Sequence, residues 1–204
     1  MLKIKKINTI LAGVALSVTL PLSVVAQGKD PVRVGLVSSK SGVFAEQGEE
    51  VIRAIKFAIE EANNKGGVDG RKIEFQEADD EGTPDAGRRV AEKLARDGYN
   101  LLIGAIPSSI SLAIAQNLDR WDAAYFVVAS KSDKITGDTC KPRAFRTNHA
   151  DNMDIAMINQ WAKNLPGKTY AVMAADYVWG RDSGESFKKA AESIGKVEIG
   201  RAHV

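Results

Sequence analysis

The sequence predicts an α/β fold with a parallel sheet covered by helices on both faces, and three observations lead there. Short β-branched runs alternate with segments of helical apolar spacing, in the order β-α-β-α-β-α-β across residues 32–129. The strand runs are apolar without a polar face, as expected of strands buried on both sides. A composition of 44% hydrophobic and 26% charged residues over 204 positions supplies enough material for a core in one or two domains.

The first strand is read at 32–38, VRVGLVS, closed by the turn-forming Ser39, Lys40, Ser41 and Gly42. Over 46–64, Val51, Ile52, Ile55, Ala58, Ile59 and Ala62 recur at helical spacing and predict one buried stripe, ended by Gly66 and Gly67. A second strand at 72–78 meets Asp79 and Asp80. Pro84 then opens a helix with Val90, Ala91 and Leu94 on one face, stopped at Asp97 and Gly98. Strand three is read at 100–104, a helix at 109–119 and strand four at 124–129. An irregular stretch leads to a helix at 150–164 with Ile155, Ile158 and Trp161 on one face. A strand at 168–174, a loop at 175–182 and a helix to 194 start a second β-α unit.

Lys3, Lys5 and Lys6 stand ahead of an apolar run that closes on Val24, Val25 and Ala26, which predicts a cleaved secretory signal peptide over residues 1–26. Asn8, Thr9 and Pro21 interrupt that run and argue against a membrane anchor. Loss of the three lysines takes the net charge from +2 to −1, leaving no basic surplus to suggest a nucleic acid partner. Cys140 is the only cysteine, so it is either a small buried residue or half of a bond whose partner is absent. The sequence stops as a strand begins after Ser193, so a truncated chain is expected, and residues 199–204 are read as a non-native tail without function.

In an open parallel sheet, ligands bind beyond the carboxyl ends of the strands. Strand three stops at Gly104 and turns through Pro107, and Ser108 or Ser109 is expected to cap a helix whose free N–H groups and positive dipole end suit a carboxylate. Loops at 39–44, 130–132 and 177–180 reach the same edge and bring hydroxyls, glycines and aromatic rings, among them Phe44. Lys40 and Lys131 could draw an anion toward it. Asp79 and Asp80 fit turn and helix-start chemistry better than a cation site. Ser108 lacks the flanking glycines of a hydrolase nucleophile, and a base is missing, with His149 in the irregular stretch and His203 in the tail. No catalytic residue, metal or cofactor is expected.

Five features taken together resemble the periplasmic solute-binding proteins of ABC transporters, of the type that binds leucine, isoleucine and valine. They are Gly42 to Gly48, the run EEANNKGGVDG at 60–70, Asp79-Asp80 with Pro84, Ile103-Gly104 before the serines, and Trp179-Gly180. The resemblance covers residues 31–198 and implies a type I clamshell cut short within its second lobe: lobe one at 31–147, a first crossing at 145–148, and the start of lobe two at 148–198. It implies a periplasmic component of an importer, not an enzyme, that captures a small amino acid or related carboxylate and works with a membrane permease and an ATPase. A sensor or receptor ectodomain of the same shape is the alternative. Carried across by position, Ser108 matches the hydroxyl that reaches the solute's carboxylate, with Ser109 one place further into the helix. Ser130 and Ser132 match a pair where a backbone carbonyl takes the ammonium and a hydroxyl with its N–H assists the carboxylate. Trp179 stands where amino-acid binders often have tyrosine, which admits aromatic or other carboxylates.

Overall fold

A computed structural model describes residues 29–204, so the signal-peptide expectation for residues 1–26 lies outside the described residues. Five parallel strands form the main sheet: β1 (Val32–Ser38), β2 (Ile73–Asp79), β3 (Leu101–Gly104), β4 (Ala124–Val127) and β5 (Ala144–Arg146), in the order β2-β1-β3-β4-β5. They are joined by α1 (Ala45–Asn64), α2 (Pro84–Arg96), α3 (Ser108–Ala115) and the short α4 (Leu118–Trp121). The α/β class with a parallel sheet is the one the alternation predicts. The single helix expected at 109–119 is divided into α3 and α4, and Asp122, at φ 48°, ends the second.

Register decides which side chains share a face. Gly35 lies opposite Leu102 and Leu102 opposite Tyr125, while Leu36, Ile103 and Phe126 form the next row. Because successive residues point to opposite faces, Val37, Leu102, Tyr125 and Val127 go to one side. There Leu94 of α2, Ile110 and Ile114 of α3 and Leu118 of α4 complete the core. Thr83 caps α2 by accepting the Ala86 N–H at 3.3 Å, with Pro84 at the first helical position as expected.

The other face carries α1 alone among these helices. The stripe expected to be buried is only partly so: Gly48 and Ile52 are the buried residues of α1, and Ala58 is exposed. The reason is placement, since α1 packs on β1 and β2. An aliphatic groove of about 450 Å³ remains between Val51, Ile55 and Ile59 of the helix, Val34 and Ile103 of the sheet and Val128 just beyond β4.

After β5 the chain builds α5 (Asp151–Ala162), β6 (Thr169–Ala174), α6 (Val178–Ser193) and β7 (Val197–His203). The two strands pair in parallel, with an irregularity at Tyr170/Ala171, and residues 199–203 of the expected tail lie within β7. Helix α5 corrects one expectation. Ile155 is buried, but Ile158 is 41% and Trp161 63% exposed, because α5 packs on α6 and turns Asp151, Ile155 and Ala162 inward. Cys140 is exposed, which removes the reading of it as a small buried residue.

Candidate functional site

Gly104 explains why β3 stops. Its φ is +139°, and a Cβ there would sit 1.9 Å from the Val37 carbonyl oxygen, so only glycine lets the chain leave the sheet at this point. The expected serine cap on α3 does not form. Pro107 occupies the cap position at φ −66°, ψ 127°, and no side chain caps the helix. Ile110 and Ser111 both send their N–H to the Pro107 carbonyl. The N–H groups of Ser108 and Ser109 have no hydrogen-bond partner among the described residues and carry the positive end of the helix. Ser108 is instead the first helical residue, buried, and its Oγ accepts the N–H of Ser132 at 3.1 Å.

Ser130 belongs to a closed chain of hydroxyls. The Ala105 N–H donates to Tyr125 Oη at 2.6 Å, Tyr125 lies 2.7 Å from Ser111 Oγ, and Ser111 lies 2.7 Å from Ser130 Oγ. Ser130 Oγ then reaches the carbonyls of Ala105 and Ile106 at 2.9 and 3.0 Å. An N–H at one end and carbonyls at the other fix the direction of every donor between them. The Ser130 hydroxyl therefore holds the loop after β3. Full burial also pushes the Tyr125 phenol well above its usual range, so it stays protonated and able to donate.

The end of β5 and the segment after it clamp the loop after β4. Arg146 donates to the carbonyls of Ser130 and Ser132, both at 2.6 Å, and Asn148 Nδ2 donates to the Ser130 carbonyl at 3.1 Å. Ser132 Oγ in turn donates to Asp182 of α6 at 3.1 Å, and Lys134 pairs with the same carboxylate at 2.7 Å. These bonds tie the five-stranded unit to the second one.

Aromatic rings line the junction. Phe44 meets Tyr177 edge-on with centroids 5.7 Å apart, and Tyr177 lies 5.9 Å from Trp179. Trp179 Nε1 and Ser183 Oγ both donate to Asp151 Oδ1, at 2.8 and 3.1 Å. Burial pushes the Asp151 carboxyl above the usual range despite these bonds, and its Oδ2 has no protein partner among the described residues. Beside the rings opens a cleft of about 410 Å³ lined by Phe44, Gln47, Gly82, Pro107, Ser109 and Tyr177, among others.

Of the residues singled out in the sequence, Phe44 and Ser109 line this cleft. Ser108, Ser130 and Ser132 are buried in bonds to protein groups, and Trp179 stands at the junction with its one donor engaged. Lys40 and Lys131 pair with Glu77 and Asp154 at 2.9 and 2.8 Å, so both amines already have carboxylate partners. Tyr177, which heads the 177–180 loop expected at this edge, lines the cleft as well. Arg146, Asp151 and Asp182 carried no such signal, because their partners lie far along the chain. Among the described residues no cluster of three His, Cys, Asp or Glu is placed to hold a metal. The aliphatic groove beneath α1 is similar in size, but its lining has no polar side chain to orient a solute.

A parallel sheet whose carboxyl-edge loops face a second α/β unit across an aromatic cleft defines a two-unit ligand-binding fold. The chain belongs to the periplasmic binding protein family, which it matches over residues 31–202. It is 24% identical over 169 residues to the Leu/Ile/Val-binding protein BraC3 of Rhizobium johnstonii, covering 82% of this chain and 46% of the relative. It is 26% identical to the leucine-, isoleucine-, valine-, threonine-, and alanine-binding protein of Pseudomonas aeruginosa, covering 81% and 44%. A solved solute-binding protein of an ABC transporter from Rhodopseudomonas palustris, in complex with 3,4-dihydroxybenzoic acid, superposes with a TM-score of 0.78 at 27% identity, covering 86% of this chain and 47% of that one. The chain thus spans about half the length of the relatives it matches.

Proposed function

We propose that this chain forms the first unit and the start of the second in an extracytoplasmic solute-binding protein of an ABC importer, which captures a small carboxylate in the cleft between its two units. Membrane permease and ATPase subunits would take the solute onward. The observation that carries this reading is the meeting of the free helix-α3 N–H groups and Ser109 with the Phe44–Tyr177 pair at one cleft. A helix N-terminus favours an anion, and rings beside it favour an apolar or aromatic body. The kinship with the 3,4-dihydroxybenzoate complex supports an aromatic acid, and the Leu/Ile/Val-binding relatives support an amino acid. Both classes present the carboxylate that the head of α3 is suited to hold.

Calorimetric titration of the full-length protein with 3,4-dihydroxybenzoate and with leucine tests this. Binding of either, weakened by Ser109→Ala or Phe44→Ala, is the expected result. Affinity unchanged in both variants would place the solute elsewhere. The 204-residue chain alone should bind more weakly than the full-length protein, since it spans about half the length of its relatives and leaves part of a ligand uncovered.

A further inference from the structure

Asp80 is fully buried at the end of β2 and has no part in the cleft lining. Its Oδ1 accepts the Ser39 hydroxyl at 2.6 Å and the Gly82 N–H at 2.9 Å, while Oδ2 has no partner among the described residues. Asp79 repeats the pattern, its Oδ1 accepting the N–H groups of Lys40 at 2.8 Å and Glu81 at 2.9 Å. Two adjacent carboxylates thus tie together two turns, the one after β1 and the one before α2.

Both turns lead into the cleft. The first runs into the short 3-10 turn Gly42–Phe44, which delivers the Phe44 ring, and the second supplies Gly82 to the same lining. The ring lies against Gly82: a Cβ built there would sit 3.5 Å from Phe44 Cδ2. Helix α1 braces the first turn from the other side. Ser38 Oγ donates to the Gly48 carbonyl at 3.2 Å, and a Cβ at Gly48 would fall 1.6 Å from the Ser39 carbonyl oxygen. Phe44 has no polar anchor of its own, so its position is inherited from the turn.

An unpaired buried carboxylate is costly, and burial pushes Asp80 above the usual range against the opposing pull of its two hydrogen bonds. What it offers in return is one strong acceptor shared by donors on two different loops. We infer that Asp80 is a positioning residue of the cleft, which through Ser39 and Gly82 fixes Phe44 against Tyr177 and so sets solute affinity without touching the solute. This rests on the cleft reading given under Proposed function.

The test is a set of calorimetric titrations of the full-length protein with 3,4-dihydroxybenzoate, with folding of each variant checked by circular dichroism. Ser39→Ala removes one hydroxyl and should lower affinity by about three- to tenfold, the effect of roughly one hydrogen bond lost at a distance from the solute. Asp80→Ala should lower it further, and Asp80→Asn, whose amide oxygen can accept both donors, should restore most of it. On a Phe44→Ala background, Ser39→Ala should cost nothing more. A merely structural role would give the same loss in both backgrounds. If the unaltered protein binds and Ser39→Ala and Asp80→Ala bind equally well, the positioning role is overturned while the cleft stands. If the unaltered protein binds no carboxylate, the cleft reading falls and the inference with it.

Discussion

The five-stranded unit and the two-stranded unit are built by the same alternation but bury their apolar surface very differently. In the first, one sheet face is closed by α2, α3 and α4, and the main core cluster lies wholly between Val37 and Ala144. In the second, the buried apolar residues are Ala150, Ile155, Ala162 and Ala191, while Met153, Met157, Ile158, Trp161, Met173 and Ile199 are exposed. Two strands and two helices cannot cover one another as five strands and four helices can. The difference teaches that the second unit depends on the first. Ser132 to Asp182, Lys134 to Asp182 and Phe44 to Tyr177 hold it in place, and the last of these contacts borders the cleft.

The sharpest way to break this comparison is a matched pair of truncations. Leu102→Ala, in the closed face, should cost about 2–5 kcal/mol in chemical denaturation. Ile158→Ala, on the open side of α5, should stay within about 0.5 kcal/mol. Equal losses would mean that the second unit has a core of its own. Tyr125→Phe comes next, at about 1–3 kcal/mol, because it leaves the buried Ala105 N–H without its acceptor. Ser132→Ala should be smaller, at about 0.5–1.5 kcal/mol. Its effect should show chiefly as faster amide exchange in β6 and β7, with β1, β3 and β4 unchanged.

The smallest expected effect is one of pH. Asp80 titrates above its ordinary value of 3.8 in the folded chain, so as pH rises through 3.8 the unfolded chain ionises first and the folded state loses ground. Burial of Asp80 thus costs nothing below that pH and costs most above its folded pKa. Asp79 and Glu77, both held low, act in the opposite sense. The difference in unfolding free energy between the unaltered chain and Asp80→Asn should therefore move in favour of the unaltered chain on acidification toward 3.8. A difference independent of pH would show that Asp80 does not titrate abnormally.

Much of the first unit was legible in the sequence because its signals are local. Apolar runs without a polar face marked the strands, Pro84 marked the start of α2, and Gly104 marked the end of β3. What escaped depends on partners remote in the chain. Serine before a helix suggests a cap, yet Ser108 Oγ is drawn to the Ser132 N–H and Pro107 takes the cap position. Ser130 and Ser132 were matched to a pair that offers a solute a carbonyl and a hydroxyl, yet the Ser130 hydroxyl closes a chain through Ser111 and Tyr125 and both carbonyls accept from Arg146. The spacing of Ile155, Ile158 and Trp161 suggested one packed face, but spacing cannot say how much sheet lies beneath a helix.

The central claim is that the solute sits where the two units meet. Its most direct test is a ¹H–¹⁵N correlation map of residues 29–204 titrated with 3,4-dihydroxybenzoate at millimolar concentration. The account predicts that the amides of Ser108 and Ser109, the amide of Tyr177 and the indole N–H of Trp179 shift together. Shifts confined to Val51, Ile55 and Ile103, around the groove beneath α1, would contradict it.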